Sequence, residues 1–247
     1  MITELERATQ TLRELVMAGR FSAGEKLPEE AVAMHLAVSR TIARLAMGAL
    51  ERDGLLARSP RRGYRVSTFT IGYVADAVEV RGELEAMAAR QLAERGAASD
   101  VLETLDVSIR RSATLLREPD FDVQKRAEWA RCNLMFHRAL VGATGNAALA
   151  GSFEHLLRIP LVSPEVIVFR AGEDEGGRGQ LCRAHADHVE LLEAIRARRG
   201  LLAAEIMRAH AARSARYKRQ NYTGNSCAMC ITGARSGVLM VQADGGG

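Results

Sequence analysis

The chain has 247 residues, 34 Lys and Arg against 30 Asp and Glu, a net charge of +4 and a pI near 9.1. Hydrophobic residues at 47% and charged residues at 26% are ordinary globular values that exclude wholesale disorder, and aromatics at 4% favour helix over sheet. So small a net charge proves no nucleic-acid partner; its distribution has to decide.

No apolar run is long enough to span a membrane, and the charged opening MITELERATQ lacks the apolar core of a signal peptide. Four cysteines in a chain of this size do not make a disulfide scaffold. A cytoplasmic protein with no membrane partner is expected.

Residues 1–68 are predicted to form one domain. Leu5, Leu12, Leu15 and Val16 recur at helical spacing, and that helix ends near Gly19. Phe21 to Pro28 is a turn-rich connector, and Glu29 to Leu36 a second short helix. Ser39 is suited to cap a third helix running to about Asp53, with Gly54 as its stop. Two short apolar segments, Leu55–Arg58 and Tyr64–Val66, flank a Pro/Gly turn and make a β-hairpin. Three helices followed by a hairpin are a winged helix-turn-helix.

After a linker at 69–73, residues 74–220 are predicted to form an all-helical antiparallel bundle, so the fold class is mainly α. Helices are expected over about 74–95, after Ser99 as N-cap, over about 120–141, and from a cap at Asn146 to near Pro160. A short fifth opens at Ser163-Pro164-Glu165, and two more cover about 179–198 and 201–219. Residues 221–247 keep no period, end in three glycines and are expected to be a poorly ordered tail. The single Cys227-x-x-Cys230 in it is a weak zinc or redox signal against the reading of two incidental cysteines.

Charge singles out the first domain. Arg40, Arg44, Arg52, Arg58, Arg61, Arg62 and Arg65 stand against only Glu51 and Asp53 between Arg40 and Val66. The rest of the chain is close to neutral. In a helix-turn-helix the first residues of the recognition helix meet base edges in the major groove; here these are Ser39, Arg40, Thr41 and Arg44. Arg40 and Arg44 lie one turn apart on one face, and arginine reads guanine bidentately. Leu45, Ala46, Ala49 and Leu50 should pack inward. Arg61, Arg62 and Gly63 at the wing tip suit a minor groove or phosphate. An arginine-rich hairpin can also be merely a solvated face.

In the helical region, Asn133 and His137 share a helix face, and His188 and His210 come from the last two helices. Three imidazoles from three helices can meet inside a bundle around a metal with an open position. Histidines on amphipathic helices are also common as plain core residues. The same cluster allows a rival reading, a metal-dependent hydrolase or hydratase. Arg81 either grips an effector carboxylate or pairs with Glu85 one turn on. His155 is undecided, and Cys182 and His185 are read as peripheral to His188.

Leu12-Arg13 through Gly19, Gly24-Glu25-Lys26-Leu27, Val38-Ser39-Arg40-Thr41 with Arg44, and Leu50 to Leu55 resemble the N-terminal domain of GntR-type transcriptional regulators. Ala23, Ile42 and Leu45 depart from the usual residues. Arg81-x-x-x-Glu85, Asn133-x-x-Phe136-His137 through Asn146, His188-x-x-Leu191-Leu192 and Met207-x-x-His210 resemble the FCD ligand-binding domain of the FadR subfamily. The resemblance implies a ligand-responsive regulator, a repressor by preference. It would be a homodimer on double-stranded DNA with a pseudo-palindromic operator, and it would sense a small carboxylate effector. It also implies a divalent metal held by His137, His188 and His210, with Asn133 where the family has aspartate; nitrogen-rich ligation favours zinc or nickel. An amide oxygen brings no charge, so weaker metal binding is expected.

Overall fold

The computed structural model describes residues 2–17, 19–22, 24–59, 63–159, 161–164, 167–170, 174–221 and 238–241. The chain divides into two compact units, one built on the first 70 residues and one on the helices from Ile71 onward.

The first unit opens with α1 (Glu4–Met17), whose start is a reciprocal capping box. Glu6 N–H donates to Thr3 Oγ1 (3.2 Å), and Thr3 N–H donates to Glu6 Oε2 (2.7 Å). Its buried residues Ala8, Leu12 and Val16 recur every fourth position and face α3 (Arg40–Arg52). Between them lie β1 (Lys26–Leu27) and α2 (Glu29–Leu36). Ala37 ends α2 in the left-handed region at φ 53°, its N–H directed at the Ala33 and Met34 carbonyls. A non-glycine residue there carries strain of about 1 kcal/mol or more, so the turn is set by its surroundings.

The hairpin of β2 (Leu56–Arg58) and β3 (Tyr64–Val66) is antiparallel, with Leu56 opposite Val66 and Arg58 opposite Tyr64. β1 pairs with the other edge of β3, giving the order β1-β3-β2. The connector expected at 21–28 therefore contributes a strand. Two residues are too few for alternation to reveal, but burying Leu27 against the core ties them down.

The second unit holds α4 (Ile71–Arg95), α5 (Ser99–Arg117), α6 (Val123–Gly142), α7 (Ala147–Leu157), α8 (Asp174–Arg196) and α9 (Gly200–Asn221). Asp122 caps α6 by accepting from Lys125 N–H (2.8 Å), and Asn146 Oδ1 accepts from Leu149 N–H (3.1 Å) at the start of α7. α4 and α9 pack most extensively. Their approach depends on small residues: a Cβ on Gly82 would lie 2.2 Å from Ala211 Cβ, well inside contact distance. Phe136, Leu140, Phe153, Leu105, Leu191 and Met207 fill the main core, and Trp129 with Phe121, Leu116 and Leu181 a smaller one. No described helix is long and apolar enough to cross a membrane.

Several expectations need correction. α4 starts at Ile71, inside the expected linker, and Ser99 is the first residue of α5 while Ala98 occupies the cap position. No helix opens at Ser163-Pro164. Ile167–Arg170 is instead the strand β4, as the β-branched and aromatic run Ile167-Val168-Phe169 favours. β4 pairs in parallel with β5 (Val238–Val241), so part of the expected tail is a strand, and the described residues of this unit are not purely helical. Cys227 and Cys230 lie outside the described residues.

Candidate DNA-reading helix and metal centre

α3 begins at a capped end. Ser39 is extended, and its Oγ accepts from Ile42 N–H at 3.2 Å. The helix buries Ala43, Ala46, Met47 and Leu50 and turns Ser39, Arg40, Thr41 and Arg44 outward. Leu45 was expected on the inner face, yet it is 48% exposed. It follows Arg44 on the outer side of the period that Ala43, Ala46 and Leu50 define.

The arginines of this unit divide by what holds them. Arg58 Nε donates to both Glu51 oxygens at 3.0 and 3.1 Å, and Arg65 Nη1 donates to the Gly24 carbonyl at 3.2 Å. Arg13 pairs with Asp53. Among the described residues nothing hydrogen-bonds or ion-pairs with Arg40, Arg44 or Arg52. These three guanidinium groups, with Arg58, line one open groove between α1, α3 and the wing. Gly63, at φ 104°, has a backbone that only glycine adopts easily and lies against the Leu27 carbonyl. Arg61 and Arg62 lie outside the described residues.

In the second unit His137 (α6), His188 (α8) and His210 (α9) converge. Each offers a ring nitrogen, all within 4.8 Å of one another, and all three residues are buried. A metal bonded at ~2.1 Å wants nitrogens about 3.4 Å apart, so a contraction of at most about 1.4 Å completes the set. His137 Nε2, His188 Nε2 and Asn133 Oδ1 are buried and have no hydrogen-bond partner among the described residues. Asn133 Nδ2 donates to the Pro164 carbonyl (2.9 Å), which fixes the amide and leaves Oδ1 as its spare acceptor. Orphaned acceptors in a dry core are costly unless something binds them, and here all three are of a type that ligates zinc or nickel. The residues fit a divalent ion.

Carboxylates orient the rings from outside. Glu85 (α4) lies 2.8 Å from His137 Nδ1, and Asp187 (α8) lies 3.1 Å from His210 Nδ1 and 2.5 Å from Arg213. Asp187 holds His210 at Nδ1, the usual outer support of a histidine ligand, while Glu85 sets a carboxylate beside His137 Nδ1. His188 is stacked on Phe136 at 4.1 Å between ring centres. Burial pushes His137 and His188 below the ordinary histidine range, His137 despite Glu85, so the neutral, ligating form prevails. Burial alone would raise Glu85, but Arg81 and His137 outweigh it and hold the carboxyl at about 2. Lys218, buried on α9, is brought down to about 7 by burial and by Arg81.

Arg81 forms the salt bridge of the two alternatives: its Nε is 3.3 Å from Glu85 Oε1, and it also donates to the Val162 carbonyl. His155 is exposed, outside this cluster. Glu85 as a ring-orienting group, Asp187 and Lys218 went unread in the sequence. For Asp187 the available signal was its position beside His188, on the face of α8 turned toward α9.

Comparison with known proteins places both units. The family model described as bacterial regulatory proteins, gntR family, matches residues 5–66, and the FCD domain model matches residues 76–213, more than half the chain. The chain is similar to the HTH-type transcriptional regulator YdhC of Bacillus subtilis, 29% identical over 145 residues, covering 59% of this chain and 62% of that protein. It is likewise similar to the HTH-type regulator BphR of Paraburkholderia xenovorans, 30% identical over 145 residues, with 58% of each covered. The chain thus spans about three fifths of the length of these relatives.

Among solved structures, McbR/YncC of E. coli shares the fold at TM-score 0.62 and 17% identity, covering 90% of this chain and 100% of that one. A GntR regulator from Rhodococcus sp. RHA1 does so at TM-score 0.61 and 20% identity, covering 88% and 98%. These relatives are regulators, and none supports the hydrolase or hydratase alternative. The chain belongs to the GntR family of bacterial regulatory proteins, with an FCD domain as its second unit.

Proposed function

We propose that the protein is a DNA-binding transcriptional regulator of the FadR subfamily, a homodimer that works as a repressor. Residues 1–68 read a pseudo-palindromic operator, and residues 74–220 sense a small carboxylate beside a divalent metal, in the cytoplasm. The observation that carries this reading is the exposed pair Arg40 and Arg44, unpartnered among the described residues, in the first two turns of a Ser39-capped helix. An arginine that packs nothing and pairs with nothing has no structural task; an anionic partner outside the chain gives it one.

In the sensor, His137, His188 and His210, with Asn133 Oδ1, would hold zinc or nickel, which supplies a Lewis-acidic point for a carboxylate. Arg81, paired with Glu85, lies in the same buried region, close enough to Lys218 to lower its pKa. A ligand there shifts operator affinity only through its different affinity for the DNA-competent and incompetent states.

Melting of the zinc-loaded and the chelator-treated chain against acetate, lactate, malate and citrate tests the sensor. A carboxylate present at 100 times its Kd stabilises by about 2.7 kcal/mol, roughly 5–10 °C for a chain of this size. A rise confined to the zinc-loaded form is expected. Equal shifts with and without zinc would place the carboxylate away from the metal, and no shift with any of the four acids would remove the carboxylate reading.

A further inference from the structure

Leu45 is a large apolar side chain left open on α3, at 48% exposure. The buried set Ala43, Ala46, Met47 and Leu50 fixes the inner direction of that helix. At about 100° per residue, Leu45 stands about 30° from the opposite, outward direction, closer to it than Arg44 at about 70°. By the same phase Thr41, Gly48 and Arg52 share the outward face with Leu45, and Arg40 and Arg44 form one border of it.

A single exposed leucine is ordinary on a protein surface, but the company of this one is not. It lines the same open groove as Arg40, Arg44 and Arg52, none of which is hydrogen-bonded or ion-paired among the described residues. The acids of that groove, Glu6, Glu29 and Glu30, come from α1 and α2 and not from α3. A helix face with three free guanidinium groups calls for a polyanion, and the surface that covers them covers Leu45 as well. Gly48 points the same way. A Cβ there would lie 3.7 Å from Tyr64 Oη and 4.0 Å from Arg52 Nη1, ordinary contact distances, so the domain has room for alanine. Glycine weakens a helix interior relative to alanine, and the domain's own packing does not require it. Close approach of a second surface to the outer face of the helix does.

We infer that Leu45 is a specificity-determining residue that reads thymine, packing on the C5 methyl group of a T·A pair beside the base pair met by Arg44. This rests on the proposed reading of DNA by α3 and deepens it.

The chemistry of the major groove selects that base. The thymine methyl is the one apolar group that a base edge presents there; the other edges present donors and acceptors. A leucine laid over a donor or an acceptor strips it of water and offers no bond in return, which disfavours that base pair. The arginine row and the leucine thus divide the work: Arg40 and Arg44 bond the acceptors of guanine, and Leu45 takes the methyl. Thr41, one turn before Leu45 on the same side, carries a methyl of its own and is the rival reader.

The test uses the full chain and the duplex that it binds best from a random-sequence pool. Each thymine of that duplex is replaced in turn by deoxyuridine, which removes one methyl group and leaves every hydrogen-bonding group in place. One such replacement per half-site should weaken wild-type binding about fourfold, the factor that corresponds to one buried methyl. The same replacement should leave Leu45→Ala unaffected. On the unmodified duplex Leu45→Ala should bind about fourfold or more weakly than wild type, with an unchanged salt slope, because leucine neutralises no phosphate. Its melting temperature should not fall, since the side chain is exposed and alanine is the better helix former.

A selected duplex in which no thymine methyl matters would overturn the inference. So would an equal loss in wild type and Leu45→Ala, which would give the methyl to another side chain, Thr41 first. Either result leaves α3 as the reading helix as long as the Arg40→Ala/Arg44→Ala chain fails to bind the same duplex. A double variant that still binds it, or a wild-type chain that selects no sequence, would remove both readings.

Discussion

Replacing Arg40 and Arg44 together by alanine is expected to abolish specific operator binding while leaving the fold intact. An arginine reading a base pair contributes about 1–3 kcal/mol, so losing both weakens binding by roughly 30-fold to 10⁴-fold. Both side chains are exposed and make no bond to other described residues, so the melting temperature should stay within about 2 °C of wild type. Single variants separate two roles. Loss of a base reader relaxes sequence preference at one position of the half-site, whereas loss of a phosphate contact weakens all sequences alike and lowers the salt slope by about one. Arg58→Ala is the contrast: it is tied to Glu51 and should matter less. Wild-type affinity in the double variant would show that α3 is not the reading helix.

The second large effect concerns the histidine cluster. Chelator-treated protein should take up one zinc or nickel per chain, and saturation at 1,000 times Kd should add about 4.1 kcal/mol to its stability. His137→Ala should take up none. Because His137 is fully buried and is a partner of Glu85, its removal also leaves a carboxylate underserved and destabilises the metal-free protein by about 1–3 kcal/mol. Asn133→Asp is the complementary change. It puts an anionic oxygen where the amide oxygen stands and should tighten zinc about tenfold or more, with loss of the hydrogen bond from Asn133 Nδ2 to the Pro164 carbonyl. Equal zinc in the wild type and in His137→Ala would place the metal elsewhere, whatever the melting curves show.

Much of this was legible in the sequence because it is local. The Ser39 cap, the i, i+4 relation of Arg40 and Arg44, and the hairpin around its Pro/Gly turn follow from spacing within one element. So does the shared face of Asn133 and His137. The ligand set across three helices was legible only through resemblance to a family, since no spacing rule predicts that residues 51 and 22 positions apart will meet.

What the sequence hid was set by tertiary contact. β1 is two residues long and exists because β3 offers an edge. Ile167–Arg170 follows an N-cap-and-proline signal for helix, yet pairs as a strand with residues some 70 positions later. Leu45 belongs by hydropathy to the core and by helical phase to the outer face, and phase prevailed. Asp187 and Glu85 look like ordinary surface acids of an amphipathic helix until the fold turns them onto His210 and His137.

The central claim is that reading and sensing are coupled in one chain. The most direct measurement is operator affinity of the zinc-loaded wild type with and without the carboxylate that raises its melting temperature, at fixed salt. The account predicts a change of about 5- to 150-fold in Kd, with the operator altering carboxylate affinity by the same factor, and loss of both effects in His137→Ala. Operator affinity unchanged by a carboxylate that demonstrably binds would contradict it.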